Sequence, residues 1–273
     1  MGGLDQLDKI GLIAGNGKFP LLFAKAARAK GLPVVAAAVR GDTSWLIHLL
    51  ATEVRWFAPG ELKSLFAYFR SQGVKKVLMA GQVHPRNLFR QDVAMDEEFQ
   101  ELFKAMADRR CDTIFGAVAD RLAKEGLELL DSTFLLQDHL APRGTLTRHA
   151  PTEAQLQDIR FGIGIAKQMG GLDVGQTVVV KDMAVVAIEA LEGTDQCILR
   201  GGAIARQDAV VVKTSKPKQD SRFDVPVIGP RTILTMRRCR SACLAIEAGK
   251  TLIIDRDRTV ALADKAGIAI VAA

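Results

Sequence analysis

The sequence predicts an α/β protein: a parallel sheet covered by helices in the first half, then a second α/β domain. Three observations predict it. Short apolar runs alternate with helical periodicity from Ile10 to Gly126, which is the pattern of a helix-covered parallel sheet. Thr133 to His149 loses periodicity and carries Pro142 and Gly144, so it reads as a linker. Strand-like runs then recur to the end of the chain. A length of 273 residues suits two domains, placed at 1–138 and 139–273.

The strands of the first half are "IGLIA" from Ile10, "PVVAAAV" from Pro33, "TEVRWF" from Thr52 and "KKVLMAG" from Lys75. Between them "FPLLFAKAARAKG" and "GELKSLFAYFRSQG" place apolar residues at three and four spacing, with Gly past each end. "DEEFQELFKAMADRR" opens with acids and closes with bases, as a helix dipole favours, and "CDTIFGAVADRLAKEG" stops at Gly126. Beyond the linker, Pro151 and Thr152 precede a long helix that ends at Gly170 and Gly171. "QTVVVKD", "AVVAIEA", "AVVVKTS", "VPVIG" and "TLIID" are strands, with helices between.

Composition narrows the function. Hydrophobic residues make up 48% and charged residues 25%, as in ordinary globular proteins, and no run of about 18 apolar residues occurs that could span a bilayer. The start, "MGGLDQLDKIG", has no apolar signal core, and the protein is expected to be cytoplasmic. The four cysteines show no C-x-x-C spacing, against a disulfide framework or a zinc knuckle. Cys239 and Cys243, four apart, are expected to share a helix face. The net charge of +6 favours acidic ligands or an anionic membrane surface. One Tyr and dispersed bases argue against nucleic acid.

In "GLIAGNGKFP" a strand runs through Gly15, Asn16, Gly17 and Lys18 into a helix, a Rossmann-like arrangement whose backbone N–H groups can cradle a phosphate. A dinucleotide fingerprint needs Gly or Ala where Pro20 stands. Asp42 comes late and after Arg40, which leaves an NADP-dependent reductase as an alternative. A tight structural turn is the competing reading. The turn at Gly81 and Gln82 follows another strand, at the edge where open α/β sheets bind ligands.

Charged residues thicken from Lys181 to Gly229. Glu189, Glu192 and Asp195 surround Gly193, and Thr194 can cap the next helix, in which case the acids are simply solvated. Lys213, Lys216, Gln219, Asp220, Arg222 and Asp224 then crowd between two apolar strands. Lysines and Arg222 can hold a pyrophosphate, and Asp220 or Asp224 can place a divalent ion against its oxygens; a solvated charged loop is the plainer alternative. The four histidines form no H-E-x-x-H pair, and neither a G-x-S-x-G elbow nor a P-loop is present. Each histidine is expected to be a packing or surface residue.

In order, "GLIAGNGKFP", "AGQV", "GGLDVGQTVVVKD", "AIEALEGTDQCILRGG", "KPKQDSRFDVPVIGPRTI" and "LAIEAGKTLIIDR" resemble the LpxI family of UDP-2,3-diacylglucosamine pyrophosphatases over nearly the whole chain. The resemblance implies hydrolysis of that nucleotide-sugar lipid to UMP and 2,3-diacylglucosamine 1-phosphate (lipid X) in lipid A biosynthesis. It implies magnesium as cofactor, two domains enclosing the substrate, and water attacking the sugar-side phosphorus. Asp224 is then the central carboxylate, as metal ligand or as the group that orients water, with Asp220 its partner and Lys213 beside them. Gly193, Thr194 and Asp195 follow as phosphate or sugar contacts, with Lys216, Gln219 and Arg222. The first loop, Gly15 to Lys18, with Gly81 and Gln82, meets part of the UDP-sugar. Two acyl chains call for an apolar groove, expected from helices on both sides of the linker. Peripheral contact with the cytoplasmic leaflet follows from the basic balance, and a homodimer from base rates. A non-catalytic UDP-sugar or lipid-binding protein is a further alternative.

Overall fold

The structure is a computed structural model that describes residues 7–83, 95–106, 108 and 110–273. The chain divides into two compact units, Met1–Leu136 with Ser221–Asp224, and Gln137–Asp220 with Val225–Ala273. Four residues of the acid-and-base-rich connection thus belong to the first unit.

In the first unit, strands β1 (Ile10–Ala14), β2 (Val34–Val39), β3 (Glu53–Phe57), β4 (Lys76–Ala80) and β5 (Glu128–Leu129) form one sheet in the order β3-β2-β1-β4-β5. All its pairings are parallel. The six residues of β2 are all buried, as expected of a strand covered on both faces. Helix α1 (Phe19–Ala29) packs against β2 and β4. On the opposite face α2 (Leu62–Ser71) and α4 (Cys111–Lys124) bury Phe66, Phe69 and Leu122 against Val35, Ala37 and Val77. Between them α3 (Glu97–Ala105) starts at Asp96, whose carboxylate accepts the N–H of Phe99 at 2.9 Å, one of the helix-end donors that needs a partner. The expected helix over residues 96–110 ends early, at Ala105, where Met106 turns to extended backbone with ψ 139°.

The second unit holds a six-stranded mixed sheet, β6-β13-β11-β9-β7-β8, built from β6 (Gly144–Thr145), β7 (Thr177–Lys181), β8 (Ala184–Ile188), β9 (Val210–Lys213), β11 (Cys243–Ile246) and β13 (Ala269–Ala272). A separate parallel pair joins β10 (Val227–Ile228) to β12 (Leu252–Ile253). Alternate residues of β7 serve opposite cores. Val178 and Val180 meet Ile159 and Ala166 of helix α5 (Glu153–Gly171), while Val179 meets the core that contains Ile198, Ile233 and Ala263. Those three come from α6 (Thr194–Ala205), α7 (Pro230–Arg238) and α8 (Arg256–Ala266). Thr152 and Gln155 close a reciprocal capping box at the start of α5.

Two expectations are corrected. Cys239 ends α7 and Cys243 opens β11, so no helix face is shared: the chain turns at Arg240, whose φ is 53°. Periodicity had also passed over β11 and β13, short apolar runs that helix and strand templates fit equally well.

Candidate active site

In the first unit the chain runs from β1 outward to β2 and β3, then returns to place β4 on the other side of β1. That reversal is the switch point at which open sheets receive ligands. Gly15 to Gly17 leave β1 there, and Gly81 and Gln82 leave β4. The two turns are bonded together: Gly15 N–H donates to Ala80 O at 2.8 Å and Asn16 N–H to Gln82 O at 2.7 Å. Gly81 has φ +82°, and a β-carbon there would collide with Asn16 O and Pro20, so only glycine fits. The expected cradle is therefore narrower than the sequence suggests, because two of its N–H groups are already spent on the neighbouring turn. Asn16, Gly17, Lys18, Gly81 and Gln82 are exposed.

The stretch Ser221–Asp224 is fastened at the carboxyl end of this same sheet. Ser132, which is 1% exposed, donates its N–H to Ser221 O at 2.8 Å, and its hydroxyl lies 2.7 Å from both Met79 O and Arg222 O. The Ser221 hydroxyl donates to Asp131, and Phe223 stacks on Phe115 with ring centroids 5.9 Å apart. These contacts hold exposed Arg222 and half-buried Asp224 in place. Asp131 and Ser132 were not singled out from the sequence; the signal was "DST" directly after β5. Next to this stretch lies an apolar cavity of about 100 Å³. It is lined by the strand-end residues Ile13, Val39, Phe57 and Met79, and by Phe99 and Phe115. Its lining belongs wholly to the first unit, whereas the expected groove drew on helices either side of the linker.

The second unit assembles another group of polar side chains. β7 runs antiparallel between β8 and β9, so the start of β7 lies beside the ends of both neighbours. Thr177 is paired with Lys213, and Glu189 N–H donates to Thr177 O at 2.8 Å. Gly193, with φ +82°, turns the chain into α6 and sets Thr194 over this row. The Lys213 ammonium donates to the Thr194 hydroxyl at 2.6 Å, and that hydroxyl donates to Glu189 Oε1 at 2.8 Å. Thr194 is thus not the expected helix cap: Gly193 holds the cap position. Nor is Glu189 a solvated acid. It is 8% exposed, and among the described residues its Oε2 is buried with no hydrogen-bond partner. Glu189 was named in the sequence but not nominated for the site.

Other nominated residues have different partners. Asp195 pairs with Arg231 at 2.6 Å and Lys216 with Asp173 at 2.6 Å. Gln219 braces the turn after β9 by accepting the Lys216 N–H. Asp220 is half-buried in the second unit, and Asp224 is grouped with the first. Beside Lys213, Glu247 accepts from Lys167 at 2.6 Å and from both the N–H and the hydroxyl of Ser215, at 2.9 and 2.7 Å. Burial opposes the charge on Glu247, but hydrogen bonds from Lys167, Lys250 and Ser215 outweigh it and bring its pKa down to about 2. His48 and His149 are exposed and His139 is half-buried; His84 lies outside the described residues.

This architecture defines a class: a Rossmann-like α/β domain with glycine turns at its switch point, joined to a mixed-sheet α/β domain that gathers lysine, threonine and carboxylate at one sheet edge. Residues 9–139 match the LpxI N-terminal domain and residues 142–271 the LpxI C-terminal domain. The chain is also similar to the UDP-2,3-diacylglucosamine pyrophosphatase LpxI of Caulobacter vibrioides, 32% identical over 272 residues and covering 95% of each chain. The chain belongs to the LpxI family.

Proposed function

We propose that the protein is a hydrolase that cleaves the pyrophosphate bond of UDP-2,3-diacylglucosamine, giving UMP and 2,3-diacylglucosamine 1-phosphate. The observation that carries this reading is the fastening of Ser221–Asp224 onto the carboxyl edge of the first sheet. It sets Arg222 and Asp224 at the edge where the switch-point turns lie. The Caulobacter relative, a UDP-2,3-diacylglucosamine pyrophosphatase, suggests the substrate.

Pyrophosphate hydrolysis asks for charge neutralisation and an aligned water, with little covalent work for the protein. Arg222 offers a planar fork to phosphate oxygens. Lys213 has three donors, one of them engaged by Thr194, and its burial strengthens its pull on an anion. Asp224 orients the water toward the sugar-side phosphorus. Asn16, Lys18 and Gln82 contact the UDP-sugar, and the apolar cavity takes an acyl chain.

Among the described residues no group of three or more His, Cys, Asp or Glu side chains forms a metal cage. Magnesium does not need one, since it keeps several waters and takes one or two carboxylates together with substrate phosphates. On those terms Asp224 is the carboxylate that would hold the ion, which when bound would supply further neutralisation of the pyrophosphate; Asp220, grouped with the second unit, is its expected partner only from the sequence. The family match favours the hydrolase over the reductase alternative, which rests on Arg40 and the broken fingerprint.

Purified protein incubated with UDP-2,3-diacylglucosamine and magnesium is expected to release UMP, and Asp224→Ala to release almost none while keeping its circular dichroism and melting temperature. Undiminished turnover by that variant would remove Asp224 from the site. Substrate binding without product from the unaltered protein would instead leave a binding protein.

A further inference from the structure

A short 3-10 helix, Trp45–Leu49, follows β2 and turns apolar side chains outward. Trp45 is 69% exposed, Leu46 53% and Leu49 61%. Single exposed apolar residues are ordinary, but three of the largest on one short helix form a patch. Aromatic contacts hold it. Trp45 lies 4.8 Å from the His48 ring, and Trp56 Nε1–H donates to His48 Nε2 at 3.1 Å. Arg28 of α1 donates to Leu49 O at 2.6 Å, and Arg40 reaches Trp56 O at 3.5 Å. The patch is therefore flanked by two guanidinium groups.

The segment that carries the patch is basic, although the exposed acid Glu53 follows it on β3. Between Ile10 and Thr52 the cations are Lys18, Lys25, Arg28, Lys30 and Arg40, all exposed; the single acid, Asp42, is buried. Indole and leucine side chains flanked by Arg28 and Arg40 match the boundary of an anionic bilayer, where the apolar groups enter the acyl region and the cations meet headgroups. A second copy fits less well, because it would face these cations with its own. Three side chains also cover much less than the roughly 1,200 Å² of a stable interface.

We propose that Trp45, Leu46 and Leu49, with Arg28 and Arg40, are the surface by which the protein docks on an anionic lipid bilayer. The placement suits the proposed function. Thr43, two residues before Trp45, donates its hydroxyl to Ala14 O at the end of β1, so the patch begins beside the switch-point turn. The inference rests on the hydrolytic reading only for its purpose. Its test contains no substrate, so failure of docking and failure of hydrolysis are separate results.

The test is co-sedimentation of the full chain with phosphatidylcholine vesicles, with and without phosphatidylglycerol. Binding is expected only with the anionic lipid, and to fall as salt rises. The triple variant W45S/L46S/L49S should lose about tenfold or more of this partitioning, and R28Q/R40Q most of its salt-sensitive part. UMP release by the triple variant from detergent-dispersed substrate should stay unchanged. The protein has two tryptophans, so Trp45 is read as the difference between the unaltered protein and W45F, and its emission should shift to the blue on anionic vesicles. The proposal is overturned by equal binding to neutral vesicles, by unchanged binding of the triple variant, or by an unshifted Trp45 spectrum. It is also overturned if the triple substitution splits a dimer in ultracentrifugation and leaves vesicle binding intact.

Discussion

Lys213 is 5% exposed, and its ammonium is met by the hydroxyl of Thr194 rather than directly by a carboxylate. Glu189 compensates its charge one step away, through the same hydroxyl. Such a relay makes the three side chains a unit, and their effects on catalysis should not add. Lys213→Met and Thr194→Val are each expected to lower kcat/KM by about 10- to 100-fold, and the double variant by no more than the worse of the two. A double variant whose loss equals the product of the single losses would show that Lys213 and Thr194 act separately. Glu189→Gln keeps the shape but removes the charge behind the relay. It should weaken the enzyme mainly in KM for the anionic substrate, while melting stays near the unaltered value.

Two elements are held by contacts that local sequence does not reveal. The exit of β9 is braced by Glu247, which ties Ser215 to Lys167. Its folded pKa of about 2 lies below the ordinary value of 4.5. The carboxylate therefore contributes stability that is present above about pH 4.5 and lost as pH falls through about 2. Urea midpoints should decline across that window, and Glu247→Gln should flatten the decline; an unchanged slope would mean that other carboxylates govern it. The Ser221–Asp224 stretch hangs on Phe223 and Ser132. Phe223→Ala should cost about 1–3 kcal/mol of stability, with a further loss of turnover as Arg222 and Asp224 lose their anchor. Equilibrium unfolding alongside UMP release measures the two effects, and a stability loss without a turnover loss would make Phe223 a packing residue only.

At the scale of the molecule, the first unit combines a switch-point edge with an apolar cavity, and the second brings Lys213, Thr194 and Glu189 to one sheet edge. No helix among the described residues is long and apolar enough to cross a membrane. Ile13 lines the cavity at the end of β1. Ile13→Phe should raise KM for the long-chain substrate by about tenfold while leaving a short-acyl analogue unaffected. Equal effects on both would move the acyl chains elsewhere.

The sequence by itself determined the α/β class, the four long strands of the first sheet, the capped start of α5 at Thr152, and the crowding of charge between Lys213 and Asp224. These follow from periodicity, helix-end chemistry and composition, which act over a few residues. Only the tertiary structure decided that buried Glu189 meets the Thr194 hydroxyl that Lys213 also meets, because an antiparallel β7 between β8 and β9 brings those strand ends together. It likewise decided that Ser221–Asp224 is held by Asp131 and Ser132, about 90 residues earlier in the chain. Contacts at such separation depend on how strands are ordered in a sheet, and no spacing along the chain encodes that order.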